Sequence, residues 1–294
     1  MLGFDSHEYD SSCYFRNREN WKSTKGENRT MKKLFFFVTL VLFVLVSFSV
    51  HAEIITIVGT GSGPLILKEI AKVFSQNNPG THIVVPRSIG SGGGIKAVGK
   101  DEFLLARVAR KIKPAEEHYH LVYTPIALVP IVFYTNPSVQ VTNLTTEQVC
   151  DIYSGKIFTW QQVGGHHARI RVVVRQEGDS SLNVLLKSFP GFKDISITKL
   201  AKTTFSDLDT IETVEKVPDS IAFGAYSDVK NRELIVPNIE KVSPTDAGYP
   251  YFGTLALVYK EENRKKSSIN KFIEFATSAA AVKAIKNAGG LPIR

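Results

Sequence analysis

The sequence predicts an α/β fold of two lobes. Short runs rich in β-branched residues alternate with stretches whose apolar residues recur at helical spacing. Two extended segments, 123–134 and 220–226, interrupt this alternation. The first contains Pro125 and Pro130, so we expect it to be a crossing segment rather than a central strand. Two such crossings would place the first and last thirds of the chain in one lobe and the middle third in the other.

Two units of strand, glycine-rich turn and helix open the predicted fold. Residues 54–58 are typical of a buried strand, and the Gly-Thr-Gly-Ser-Gly turn at 59–63 leads into a helix with Pro64 at its first position. Residues 82–86 predict a second strand, which runs into the turn 90–94 before another helix. Both turns should direct backbone N–H groups toward the same edge of the sheet.

The middle of the chain contains a capped helix and a third unit of this kind. Thr145 and Gln148 have the spacing of a capping box, which predicts a helix start. Residues 169–174 predict a buried strand, and residues 175–181 form its turn. Asp179 is expected to be the N-cap of the helix that follows.

The domain organisation follows from the crossings and from a closing helix at 267–288, which should end at two glycines. We predict that residues 53–128 and 226–294 form lobe 1 and that residues 129–225 form lobe 2.

The N-terminal region is typical of an export signal. Basic residues after Met31 precede the apolar run 34–50, which is shorter than the roughly 20 residues that a spanning helix needs. We therefore expect residues 31–52 to be a signal peptide cleaved after Ala52. Residues 1–30 are polar and precede that signal, so an upstream mis-start is expected there. The alternative is an uncleaved membrane anchor.

The charge favours an anionic ligand and argues against nucleic acid. The 294 residues carry a formal net charge of +8, and a mild basic excess attracts anions. The basic residues are dispersed, and the dense cluster 264–266 is typical of an exposed helix end.

All three turns carry groups that can bind an anion. A helix N-terminus has unpaired N–H donors and a partial positive charge, so it binds an anion without a catalytic group. Each turn adds serine or threonine hydroxyls, and the third adds an arginine. This set suits a small tetrahedral oxyanion.

An ordered series of motifs extends over nearly all of residues 53–294. On these motifs the chain resembles the periplasmic phosphate-binding proteins of ABC importers, which have the type II periplasmic binding-protein fold. The resemblance implies two lobes, each a mixed sheet flanked by helices, joined by two crossing strands, with the ligand in the cleft. The motifs are GTGSG (59–63), GSGGGIKAV (90–98), CDIYSGKIFTW (150–160), VVVRQEGDSS (172–181), PDSIAFGAYSDV (218–229) and GGLPI (289–293).

The resemblance also implies the residues that contact or shape the site. At one position the chain departs from the family, because Arg107 stands where phosphate binders usually carry an aspartate. This leaves molybdate, sulfate or a phosphorylated organic anion open as ligands. The implied ligand-binding residues are Thr60, Gly61, Ser62 and Gly63 in the first turn, Ser91 and Gly92 in the second, Arg107, and Arg175, Gly178, Asp179, Ser180 and Ser181 in the third.

The predicted function is therefore a monomeric periplasmic solute-binding protein. It would capture an oxyanion, most simply phosphate, and deliver it to an ABC permease of the inner membrane. The alternative is a secreted oxyanion sensor or surface interaction protein that uses the fold without transport. We find no nucleophile–base pair, so we expect neither an enzyme nor a cofactor.

Other residues that could carry chemistry have simpler interpretations. We expect no metal site, because the adjacent His166 and His167 are typical of an exposed loop, and the His118 and His120 pair lacks metal-ligand spacing. Cys150 should be a small buried helix residue.

Overall fold

The computed structural model describes residues 52–246 and 248–293. The predicted signal peptide and upstream segment lie outside these residues, except for Ala52. In the described part of the chain, no helix is long and apolar enough to cross a membrane. The strands are β1 (Glu53–Gly59), β2 (Thr81–Val84), β3 (Leu105–Val108), β4 (Val122–Thr135), β5 (Asn143–Leu144), β6 (Arg171–Arg175), β7 (Lys202–Thr204), β8 (Ser220–Ala225), β9 (Asn238–Ile239), β10 (Phe252–Tyr259) and β11 (Leu291–Pro292).

Helices flank the sheet that most of these strands form. Short 3₁₀ turns lie between them, among them Pro114–Tyr119 and Trp160–Val163. The α-helices are α1 (Pro64–Asn77), α2 (Gly90–Gly99), α3 (Thr146–Ser154), α4 (Ser180–Ser188), α5 (Asp207–Lys216), α6 (Tyr226–Val229), α7 (Ser267–Thr277) and α8 (Val282–Asn287).

One long strand, β4, connects two halves of a mixed sheet whose order is β2-β1-β3-β10-β4-β8-β6-β7. Up to Pro130, β4 pairs with β10; from Ile131 onward it pairs with β8. We call the strands on the β10 side, with β11, the first half, and those on the β8 side the second half. The predicted α/β class with mixed sheets and flanking helices is confirmed.

The strand directions bring the predicted turns together. β1 is parallel to β3, and both β3 and β4 are antiparallel to β10, so β1 runs in the same direction as β4 toward the second half. β6 is parallel to β8, which is antiparallel to β4, so β6 runs back toward the first half. The carboxyl ends of β1 and β6 therefore converge on the level at which β4 changes partners.

The proline-containing segment does cross between the two halves, but the expectation that it would not be a central strand is wrong. Pro125 is tolerated because a register shift opposite Leu255 and Ala256 leaves Ile126 unpaired with β10. Pro130 stands opposite the first residue of β10, immediately before β8 begins to pair. Each proline thus occupies a place where the regular ladder is interrupted.

Two further elements differ from expectation. The glycine-rich stretch 90–94 is the first turn of α2 itself, not a turn before it. The closing helix is broken into α7, a 3₁₀ turn at Ala279–Ala281 and α8, and Ser278 caps the turn through the N–H of Ala280 at 3.2 Å. A serine side chain that competes for backbone groups ends α7 at that point.

The core of the second half is aromatic. The ring of Phe133 on β4 lies 5.2 Å from Phe189 and 5.7 Å from Tyr153, between centroids. Trp160 is fully buried and donates to the Asp219 carbonyl at 3.0 Å. Cys150 is a buried free thiol, as predicted.

Candidate functional site

The first turn leaves the N-terminus of α1 uncapped. Gly63 is in the left-handed region (φ 67°) and provides no side-chain cap, and the first turn of α1 carries no acid. Thr60 and Ser62 are buried, and the Thr60 hydroxyl accepts from the Ser62 N–H at 3.2 Å. The free N–H groups and the positive dipole end of α1 thus point toward the second half.

The second turn has similar properties but is more open. The N-cap residue of α2, Ile89, provides no side-chain cap, and the first turn carries no acid, although the Ser88 hydroxyl accepts from the Gly90 N–H at 3.1 Å. Ser91 is half-buried, and its hydroxyl accepts from the Ala109 N–H at 3.1 Å, while Gly92 is exposed. Because β1, β2 and β3 are parallel neighbours, this helix start lies at the same sheet edge as the first turn.

Arg107 is buried beneath the first turn, with 1% of its surface exposed. Its Nε donates to the Thr60 carbonyl at 2.8 Å, Nη2 donates to the Pro86 carbonyl at 2.8 Å, and Nη1 donates to the Ile57 carbonyl. Burial lowers its pKa to about 10, and it forms no ion pair with any carboxylate of the described residues. A cation without a counter-charge therefore lies directly under the predicted ligand turn; its contact with a ligand stays a prediction.

The third turn is organised by Asp179. One carboxylate oxygen accepts from the N–H groups of Ser181 and Leu182 at 2.9 and 3.0 Å, which confirms the predicted N-cap. The other oxygen accepts from Nη2 of Arg175 at 2.9 Å. Glu177, in the same turn, is exposed and forms no ion pair with Arg175 in the described structure, whereas Asp179 does.

Two buried polar atoms of the third turn have no hydrogen-bond partner among the described residues. They are Nε of Arg175 and Oγ of Ser181, in side chains that are 5% and 0% exposed. Nη1 of Arg175 donates to Thr210 Oγ1 at 3.2 Å. A buried donor without a partner costs free energy, so these atoms indicate a place where an acceptor is expected.

The two halves approach each other at Gly61. A Cβ added there would lie 2.6 Å from Oδ2 of Asp207, the first residue of α5, and 3.3 Å from the Ser88 side chain. Asp207 Oδ2 in turn lies 3.9 Å from Nη2 of Arg175. Asp207 therefore lies between the first turn and Arg175 of the third turn, and we call the space between these turns the cleft.

Two neighbouring acidic side chains, Asp207 and Asp228, have pKa values above the ordinary value of an aspartate. Burial raises the pKa of Asp207, an effect that Arg175 opposes. Burial and the nearby charge of Asp207 raise the pKa of Asp228 to about 7, although a hydrogen bond from Ser227 lowers it. Near neutral pH the cleft thus contains carboxyl groups that do not all carry a full charge.

We expect Gly61→Ala to weaken binding of a small oxyanion, the ligand class that the sequence predicts, about tenfold without lowering the melting temperature. The added methyl group would push Asp207 away and hold the two turns apart. Calorimetry with small inorganic oxyanions gives the affinity, and small-angle X-ray scattering with and without the anion shows whether the protein becomes more compact. Gly248→Ala is a matched control, because its Cβ would meet nothing within 4 Å. Unchanged affinity and compaction in the Gly61 variant would show that this close approach has no role in binding.

Other residues considered from the sequence lie elsewhere. His166 and His167 are exposed, and His166 Nε2 lies 2.8 Å from Asp219 Oδ1. His118 and His120 are also exposed, and the nearby Glu116 accepts two hydrogen bonds from Arg110, at 2.7 Å each. No group of three possible metal ligands occurs within the described ranges.

Comparison with known proteins places these features in a family. Residues 23–280 match the family model described as a PBP superfamily domain. A curated relative, phosphate-binding protein PstS of Borreliella burgdorferi, is 26% identical over 264 residues, which is 83% of this chain and 91% of the relative.

Solved structures agree with this match. A phosphate ABC transporter substrate-binding protein from Clostridium perfringens with bound phosphate aligns with a TM-score of 0.71 at 26% identity, over 82% of this chain and 100% of that one. An ABC-type phosphate transport receptor from Vibrio cholerae aligns with a TM-score of 0.59 at 25% identity, over 81% and 100%. The chain belongs to the PBP superfamily, with the type II periplasmic binding-protein fold.

Proposed function

We propose that this protein captures phosphate in the cleft between the two halves of its sheet and delivers it to an ABC permease. The two relatives of known structure are described as phosphate transport proteins, and one of them contains bound phosphate. The role is one of binding, without catalysis. In this proposal residues 53–128 with 226–294, and residues 129–225, are lobes that close over the anion.

The observation that carries the proposal is the buried guanidinium of Arg175. Its Nε and the Ser181 hydroxyl lack partners in the described chain, although both side chains are shielded from water. A tetrahedral oxyanion presents enough acceptor oxygens to satisfy both atoms and the uncapped N–H groups of α1 at the same time. The cation of Arg107 beneath the first turn adds to the attraction.

Titration calorimetry of the exported protein with inorganic phosphate tests the proposal directly. We expect saturable binding at one site per chain, with a dissociation constant well below about 1 mM. The absence of phosphate binding by a folded sample would overturn the assignment.

We also propose that the protein works outside the cytoplasm after cleavage behind Ala52, as a monomer. Expression of the full chain in a bacterial host followed by N-terminal sequencing of the periplasmic fraction tests this. We expect the first residue to be Glu53. A chain that retains residues 34–50 and stays with the membrane fraction would contradict the export proposal but would leave the ligand assignment intact.

A further inference from the structure

The buried side chain of Arg107 connects the first turn with the segment that leads into the second turn. Arg107 lies on β3 and is 1% exposed. Its guanidinium donates to the Thr60 carbonyl and to the Pro86 carbonyl at 2.8 Å each, and also to the Ile57 carbonyl of β1. Thr60 belongs to the first turn, and Pro86 lies between β2 and the start of α2. One guanidinium therefore holds the backbones of both turns.

The main chain around Arg107 connects the same two turns. Its carbonyl oxygen accepts from the Thr60 N–H at 3.0 Å. Gly59, which pairs with Arg107 in the β1–β3 ladder, accepts from the N–H of Ile89 at 2.9 Å, and Ile89 is the N-cap of α2. A displacement of Arg107 would therefore move the N–H donors of the first and second turns together.

Arg107 and Arg175 differ in the groups that surround their charges. Nη2 of Arg175 lies 2.9 Å from Asp179 Oδ2 and 3.9 Å from Asp207 Oδ2, so two carboxylates offset its positive charge. The three nitrogens of Arg107 donate to neutral carbonyl groups. Burial lowers the pKa of Arg107 to about 10, so the guanidinium remains charged near neutral pH. An anion at the first turn therefore meets a positive charge that no carboxylate of the described residues cancels.

We propose that Arg107 makes the site prefer doubly charged oxyanions over singly charged ones, and that it acts through the first turn without touching the ligand. This inference rests on the proposed phosphate site. Each guanidinium nitrogen already donates to a carbonyl, so Arg107 is a positioning residue. Its charge lies one hydrogen bond away from the backbone of the first turn, in a place shielded from water. The second charge of a dianion gains an attraction there that a monoanion lacks.

Two ions of similar size and different charge provide the first test, on the unmodified protein. Monofluorophosphate carries two negative charges at pH 8, and difluorophosphate carries one. Calorimetric competition of each ion against phosphate gives the two affinities. We expect monofluorophosphate to bind at least about tenfold more tightly than difluorophosphate. Equal affinities for the two ions would overturn the inference while leaving an oxyanion site in place.

Two substitutions of Arg107 separate its charge from its hydrogen bonds. Arg107→Met removes both, so we expect the affinities for both ions to fall and the ratio between them to narrow about tenfold. Arg107→Lys keeps the charge but loses the planar donor fork. Both affinities should then fall by a similar factor, and the ratio should stay within about twofold of its original value. A ratio that is unchanged in Arg107→Met, or that narrows equally in both variants, would overturn the inference.

A control variant and a folding check complete the experiment. Lys96→Met removes an exposed cation from α2, in the same half, and should change either affinity by less than about twofold. Circular dichroism shows whether each variant is folded. If Arg107→Met does not fold, the comparison of the two ions on the unmodified protein and on Arg107→Lys still decides the inference. The absence of phosphate binding by the unmodified protein would instead overturn the proposed function itself.

Discussion

Arg175→Ala is expected to lower phosphate affinity about 100-fold or more. Two effects act in the same direction. The anion loses a buried guanidinium, and Asp179 and Asp207, at 2.9 and 3.9 Å from its Nη2, lose the cation that offsets their repulsion of an anion. Calorimetry with phosphate on the wild type and the variant measures the change.

Two other substitutions test whether the loss of affinity is specific to the guanidinium of Arg175. Arg171→Ala removes an exposed cation from the opposite end of β6 and should change the affinity less than about twofold. Arg175→Lys keeps the charge but loses the planar donor fork, so an intermediate affinity is expected. Equal affinities in the wild type and Arg175→Ala would remove this residue from the site.

Gly59→Ala is expected to cost about 4 kcal/mol of the free energy of unfolding or more. Gly59 has φ 132°, and a Cβ there would lie 1.9 Å from the carbonyl oxygen of Arg107. The conflict is between two backbone segments in the β1–β3 pair, so no side-chain rotation relieves it. For a chain of this size the melting temperature should fall by roughly 8 °C or more.

Gly164→Ala separates the cost of a positive φ angle from the cost of the steric conflict with Arg107. Gly164 also has positive φ, at 85°, but its Cβ would meet nothing within 4 Å. It should therefore cost only the conformational penalty of about 1–2 kcal/mol. Urea unfolding of both variants measures the free energy of unfolding. Equal losses in the two variants would show that the contact with Arg107 does not destabilise the fold.

Local signals in the sequence predicted the elements that local chemistry determines. The capping box of Thr145 and Gln148 is present, with the Gln148 N–H donating to Thr145 Oγ1 at 3.1 Å. The Asp179 cap and the Pro64 helix start are also as predicted. These features depend on residues within one helical turn, so no tertiary information is needed.

Features that depend on residues far apart in the sequence were harder to predict from the sequence. The prolines of β4 argue against a central strand only if the ladder around them is regular. The ladder is interrupted at Ile126, opposite Leu255 and Ala256 of β10, which lie about 130 residues away in the chain. Asp207 went unrecognised for a related reason, since its position beside Gly61 follows from how the two halves meet. One usable signal was present, because Ser206 and Asp209 have the spacing of a helix cap and the Asp209 N–H donates to Ser206 Oγ at 3.1 Å.

The path of β4 and β10 also leads us to expect a particular order of folding. The second-half strands β6, β7 and β8 arise, with the end of β4, from the contiguous stretch 131–225, so we expect them to pair before the first half is complete. The first half requires β10 to insert between β3 and β4, a closure of roughly 150 residues relative to β3. A chain that emerges N-terminus first therefore has β1 to β3 exposed until residues 252–259 arrive, and the insertion of β10 is the step at which a nascent molecule is most open to aggregation.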